Sequence, residues 1–138
     1  MKFEVFSERD EQTLDALISG VRSYNFEKAG PGTSKPLAVI CRDECGTLIG
    51  GIAGRTIYRQ FLIEVLWIEK GSRRTGLGRK LMEMAEIEAK ERGCLAAQVD
   101  TLSFQGPGFY KKLGFETVGK VSGIPESPER HFLLKRYD

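Results

Sequence analysis

The junction at residues 61–93 constrains the fold of this chain more than any other segment. Phe61 to Ile68 is a β-type run, ending Ile63-Glu64-Val65-Leu66-Trp67-Ile68, and a basic turn with two glycines, Arg73-Arg74-Thr75-Gly76-Leu77-Gly78-Arg79, follows it. Apolar residues then recur at helical spacing through Leu77, Leu81, Met84, Ala85 and Ala89, which predicts a helix from about Thr75 to Arg92 with those five on its inner face. Gly93 supplies its stop. A strand that enters a helix through a glycine turn requires a mixed α/β architecture.

The other elements fit around that junction. Residues 2–6 alternate as a short strand, and Ser7 with Asp10 reads as a capping box. Leu14, Leu17, Ile18 and Val21 then repeat as a helix. Residues 29–36 form a polar loop rich in Gly and Pro, either a substrate-side lid or a plain connector. Leu37 to Arg42, Leu48 to Ile57 and Phe61 to Ile68 read as an antiparallel meander. Within it Gly50, Gly51 and Gly54 weaken the second strand and mark a close backbone approach. Cys94 to Val99 is a strand, Pro107 to Leu113 a short helix closed by Gly114, and Phe115 to Val121 with Arg130 to Arg136 two final strands. The order is β-α-β-β-β-α-β-α-β-β, an α/β (α+β) domain with a mixed, mostly antiparallel central sheet, spanning 1–138 as one unit.

The basic turn is built to hold an anion. A helix N-terminus offers unpaired N–H donors and the positive end of the helix dipole, worth about 0.3–1 kcal/mol to a nearby negative charge. Gly76 and Gly78 remove side chains where a phosphate approaches backbone, and Arg73, Arg74 and Arg79 add positive charge. The alternative is a glycine-containing helix start with solvated arginines. Two phosphate-binding patterns fail on spacing. Gly71 and Gly76 begin a P-loop, but Leu77-Gly78 stands where Lys-Ser/Thr is required. Gly76-x-Gly78 begins a dinucleotide fingerprint, but Leu81 stands where its third glycine belongs.

Arg73-x-x-Gly76-x-Gly78 resembles the coenzyme A-binding motif of the GNAT superfamily of N-acetyltransferases. Downstream, Phe109-Tyr110-Lys111-Lys112-Leu113-Gly114-Phe115-Glu116 is similar to the family's second segment, Tyr-x-Lys-x-Gly-Phe, and the two together span about residues 61–116. Asp100-Thr101-Leu102-Ser103-Phe104-Gln105 resembles a branch of small single-domain bacterial members. The resemblance implies an acetyl-CoA-dependent enzyme that passes the acetyl group to a primary amine by direct attack in a ternary complex. It implies that Leu66, Trp67 and Ile68 present backbone to the pantetheine arm, and that N–H groups from Arg74 through Thr75, Gly76, Leu77 and Gly78 to Arg79 cradle the pyrophosphate. A strand N–H near Leu66 or Trp67 would polarise the thioester carbonyl. Tyr110 is implied as the general acid that protonates the departing thiolate, a role worth about 10²–10⁴-fold in rate. Ser103 stands where many members carry a cofactor-contacting Asn, which leaves that contact shorter.

The base is less determined. Glu64 is the first candidate, sharing a face with Leu66 on an alternating strand. His131 is the one side chain whose ordinary pKa suits the task, and bulk solvent is a third option. Trp67 reads equally as a core aromatic, and Phe109 and Leu113 as core.

Composition narrows the setting. Twenty-one Lys plus Arg against 19 Asp plus Glu leave +2, too balanced for nucleic-acid binding by global charge. No apolar run approaches the roughly 18–20 residues that span a bilayer, and the charged N-terminus lacks a signal-peptide stretch, so a cytoplasmic protein is expected. Cys41, Cys45 and Cys94 suit a reducing compartment, with Cys41 as a small apolar residue, and no metal is expected. A small-molecule amine is the expected partner, with polyamine, amino-acid, antibiotic and protein amines all open, and homodimerisation is plausible. The competing function is a non-catalytic acyl-CoA-sensing module using the same turn.

Overall fold

The computed structural model describes all 138 residues, which divide into two contact units, Met1–Gly32 and Thr33–Asp138.

In the first unit, residues 2–6 form no strand. Alternation over five residues marks a face but supplies no neighbour to take up their N–H and C=O groups, and a strand needs one. Helix α1 runs Glu11–Ala29. Its N-cap is Asp10, not Ser7: the Asp10 carboxylate accepts from the N–H groups of Gln12 and Thr13. Gly30, at φ +78°, ends it. The predicted stripe Leu14, Leu17, Ile18 and Val21 lies along one side of the helix, and none of it is buried.

The second unit holds the sheet. Strands β1 (Lys35–Arg42), β2 (Leu48–Ile57) and β3 (Gln60–Ile68) form the antiparallel meander. Helix α2 (Leu77–Glu91) crosses to β4 (Ala96–Leu102), α3 (Pro107–Lys112) follows, and β5 (Glu116–Val121) and β6 (Arg130–Arg136) close the sheet. The strand order is β1-β2-β3-β4-β6-β5, with only β3 and β4 parallel. The mostly antiparallel sheet and its crossover helix match the architecture expected from the sequence.

Helix α2 covers one face of the sheet. Leu81, Met82, Ala85 and Ala89 are buried there against Leu37, Ile52, Phe61, Ile63, Val99 and Leu133. Met82 is the buried methionine, whereas Met84, expected on the inner face, is exposed. At about 100° per residue, Met82 falls about 20° from Ala89 on the core side, whereas Met84 falls about 60° to the other side of Leu81, beyond the stripe. The buried Glu86 carboxylate is held by Lys135 Nζ of β6 at 3.0 and 3.1 Å. Arg92 binds the carbonyl of Pro36 at 2.9 Å and the Thr56 hydroxyl at 3.2 Å, tying the end of α2 to the meander. Cys41 packs against the core from β1, and Cys45 sits exposed in the following turn.

Two irregularities position everything else. Opposite Ala53-Gly54 of β2, the register of β3 steps from Val65 to Ile63, leaving Glu64 as the extra residue of a β-bulge. Gly54 permits it, because a Cβ there would lie 2.1 Å from the carbonyl oxygen of Leu62. The glycine-rich strand therefore does mark a close backbone approach. The second irregularity is the β3–β4 pairing, confined to Gln60–Ala96, Phe61–Ala97 and Leu62–Gln98. Beyond Leu62, β3 has no partner on that side, while β4 stays paired with β6 as far as Leu102. The strands separate into a V. No helix is long and apolar enough to cross a membrane.

Candidate active site

The V is bounded by Ile63–Ile68 on β3 and Val99–Leu102 on β4. A cleft of about 460 Å³ opens at its apex, lined by Leu62, Ile63, Val99, Asp100 and Phe132 among others. The missing ladder leaves β3 backbone groups free for a ligand.

At the end of β3 the chain makes a single 3₁₀ turn, Lys70–Ser72, then enters the basic segment. Arg74 has φ +62°, a left-handed conformation that costs a residue with a side chain about 1–2 kcal/mol. Gly76, the N-cap of α2, has φ +84° with open space where a Cβ would stand. The Lys80 N–H is the first in the helix to reach a backbone acceptor, Gly76 O at 3.0 Å. The N–H groups of Arg74, Thr75, Gly76, Leu77, Gly78 and Arg79 have no acceptor within the chain. Six free donors around an open glycine, held by a strained residue, fit a pyrophosphate.

The side chains of this turn divide the work. Arg73 Nε donates to Ile68 O at 3.1 Å, which braces the turn against the end of β3. The Thr75 hydroxyl donates to Ser72 O at 2.7 Å. Arg74 and Arg79 are exposed and make no ion pair. Gly78 has a different reason from the one its position suggests. A Cβ there would meet the Phe109 ring at 3.1 Å, so its small size seats α3 against the start of α2. Gly76 alone keeps the expected open approach.

That contact carries Tyr110. Its ring is buried, edge-on to Phe109 at 5.2 Å and to Phe115 at 5.6 Å. Burial pushes the phenol above its ordinary value, and the Asp100 carboxylate pushes it in the same direction. Tyr110 is therefore neutral, and a proton donor, throughout the physiological range. The sequence marks Asp100 only as the first residue of a family-like segment and gives it no task. Its signal there is a charge between Val99 and Thr101 on an alternating strand, which the structure turns toward the cleft beside Arg130.

Other expected residues move. Glu64 does not share the face of Leu66: the bulge sets its carboxylate 3.8 Å from Arg55 Nε, while Leu66 packs on the core side with Ile68. Trp67, 45% exposed, points away from the core opposite Gly51 and is not a core aromatic. Phe109 and Leu113 do pack in the core. Ser103 is exposed on the turn after β4, its N–H bonded to Glu129 O at 2.8 Å. His131 is buried, with Nε2 2.7 Å from a Glu129 carboxylate oxygen but off the hydrogen-bonding axis.

Known proteins share this fold. Residues 35–117 match the family profile described as acetyltransferase (GNAT) domain. Blasticidin-S acetyltransferase of Streptomyces morookaense is 35% identical over 106 residues, 74% of this chain and 78% of that protein. The crystal structure of an Agrobacterium tumefaciens protein aligns with a TM-score of 0.92 at 26% identity, over 99% of this chain and 100% of that one. An acetyltransferase from Bacillus cereus aligns with a TM-score of 0.81 at 28% identity, over 96% and 97% of the two chains. With the two motifs, the splayed strands and the matched domain in agreement, the chain belongs to the GNAT family and is an acetyl-CoA-dependent N-acetyltransferase.

Proposed function

We propose that this chain, acting in the cytoplasm with 1–138 as one catalytic domain, transfers the acetyl group of acetyl-CoA to a primary amine of a small molecule. Acetyl-CoA supplies an activated thioester. The observation that carries the reading is the turn of six unpaired N–H groups, which lies at the end of the strand that forms one wall of the V. Small-molecule amines are favoured over protein amines because a relative 35% identical bears the name of an antibiotic acetyltransferase.

Each residue then has a task. The N–H groups from Arg74 to Arg79 hold the pyrophosphate, and Arg73 keeps their turn braced on β3. The unpaired edge at Leu66, Trp67 and Ile68 takes the pantetheine arm, and an N–H near Leu66 or Trp67 stabilises the oxyanion. Ser103 offers a hydroxyl to the same arm. Tyr110, held neutral by its surroundings, delivers its proton to the thiolate. Glu64, at the bulge, accepts a proton from the amine directly or through water, with Arg55 beside it. The attack is direct, since no Ser or Cys is paired with a base in the cleft.

Free-thiol release across a panel of amines, with coenzyme A binding measured separately, tests the reading. Binding without turnover on any amine would instead favour the sensing module. Tyr110→Phe is expected to lower turnover at least about tenfold with coenzyme A affinity similar. Unchanged turnover removes Tyr110 from the mechanism, and a burst of covalently acetylated protein from acetyl-CoA alone removes direct transfer.

A further inference from the structure

Helix α3 has six residues, too few to hold a fixed place by its own hydrogen bonds, so packing decides where Tyr110 stands. The Tyr110 ring touches two others. Phe115, a buried core residue, stands edge-on to it at 5.6 Å, and the Phe115 N–H donates to Tyr110 O at 3.1 Å. Phe109 stands edge-on at 5.2 Å. Phe109 is only partly buried, and the tip of its ring meets the start of α2. Its Cε1 and Cζ lie 3.1 Å from the place a Cβ would take on Gly78. Ile68 Cδ1 lies 4.0 Å from that same place and 3.2 Å from the Cβ place of Gly50, which Leu77 Cδ2 approaches to 3.3 Å. The end of β3, the first turn of α2, Phe109 and Tyr110 thus form one unbroken line of contact. Every member of it lies within Thr33–Asp138.

We propose that Phe109 is a positioning residue for the reaction, on the reading above that Tyr110 is its proton donor. The Phe109 ring spaces the Tyr110 phenol from the first turn of α2, so the donor is placed by the same turn that holds the pyrophosphate. Proton transfer needs such a link. A donor works only within about 2.6–3.2 Å of the atom it serves, and an error of about 1 Å can cost about 100-fold. A donor referenced to the anchor of the acyl carrier keeps that distance, whereas a donor on an independently placed helix would not. An aromatic ring suits the task, because it has fixed length and few torsions. Gly78 is its complement. The open side that a phosphate needs is at Gly76, while the missing side chain of Gly78 lets the ring close on the helix. Carbon atoms pack best about 3.5–4.0 Å apart, so a Cβ on Gly78 would press the Phe109 ring aside and move Tyr110 with it.

The test uses the full chain, acetyl-CoA and the amine that the panel above shows to be turned over fastest, with coenzyme A itself as the binding probe. Phe109→Leu is expected to lower kcat about fivefold and Gly78→Ala about threefold, with the dissociation constant of coenzyme A changed less than about twofold. Ala forms helix more readily than Gly, so Gly78→Ala carries the test if Phe109→Leu fails to fold. In a Tyr110→Phe background each substitution is expected to change kcat less than about twofold, because the group it acts through is gone. A general loss of structure would persist there. Unchanged kcat in both single variants, an undiminished loss in the Tyr110→Phe background, or weakened coenzyme A affinity with kcat intact each overturns the proposal and leaves Tyr110 as the donor. Unchanged turnover in Tyr110→Phe alone, or no turnover of any amine, removes the donor and the proposal together.

Discussion

Gly54 and Gly119 are both strand glycines, and they are glycines to very different degrees. A Cβ on Gly54 would sit 2.1 Å from the Leu62 carbonyl oxygen, and backbone cannot swing aside as a flexible side chain can. Gly54→Ala is expected to cost about 3 kcal/mol or more in a denaturant titration, because it must reset the bulge that faces Glu64 outward. Gly119 has nothing within 4 Å of its Cβ position, and its replacement by Ala should stay within about 0.5 kcal/mol. The contrast bounds what was legible residue by residue. The sequence marks Gly76 and Gly78 as one pair serving a phosphate, and space separates them, since Gly78 yields to the Phe109 ring and Gly76 to a positive φ. Nothing in the alternation of Ile63 to Ile68 says that one residue is extra. That information lies in the pairing with Gly54.

At the level of elements, the periodic signals carry further. The strands Leu48–Ile57 and Arg130–Arg136 fall where alternation and turn residues place them, and α2 starts two residues inside its expected limit because Gly76 serves as the cap. The expected strand at residues 2–6 does not form, and alternation over five residues cannot say whether a neighbour will be there to pair with. The link between α2 and β6 is equally non-local. Glu86 reaches Lys135 across 49 positions, and both are largely removed from water. Lys135→Met would leave a buried carboxylate alone, at an expected cost of roughly 3 kcal/mol. Adding Glu86→Gln should restore much of it, and a double-mutant cycle reads the difference. An additive cycle would show that the pair does not couple the helix to the sheet.

For the molecule as a whole, the response to alkali follows from three buried groups. The phenols of Tyr110 and Tyr137 and the Cys94 thiol are all raised, chiefly by burial, with Asp100 adding at Tyr110, Glu86 and then Cys94 at Tyr137, and Arg92 opposing at Cys94. The unfolded chain sheds these protons first, near ordinary values of about 8.5 for the thiol and 10 for the phenols. Below those values the stability they carry is fully present, and as pH climbs through the folded-state values it is lost, because the folded chain then binds more protons than the unfolded one. The melting temperature is expected to be flat to about pH 8.5 and to drop steeply above about pH 10. Tyr137→Phe should blunt the drop, and it should not destabilise at pH 7, since the buried Tyr137 hydroxyl has no hydrogen-bond partner. An equally steep fall in that variant would assign the loss elsewhere.

The β3–β4 seam has a further consequence, for the history such a chain can have. Two antiparallel sheets of three strands each meet at three residue pairs. Register within each half is set by its own hairpins, so an insertion or substitution among β4, β5 and β6 leaves the alignment of β1, β2 and β3 untouched. The half that leads into the anion-binding turn is thereby insulated from drift in the half that supplies Asp100 and Phe132 to the cleft. A lineage built on this plan can edit β4, β5 and β6 while the register of the strand that leads into its anion-binding turn stands still.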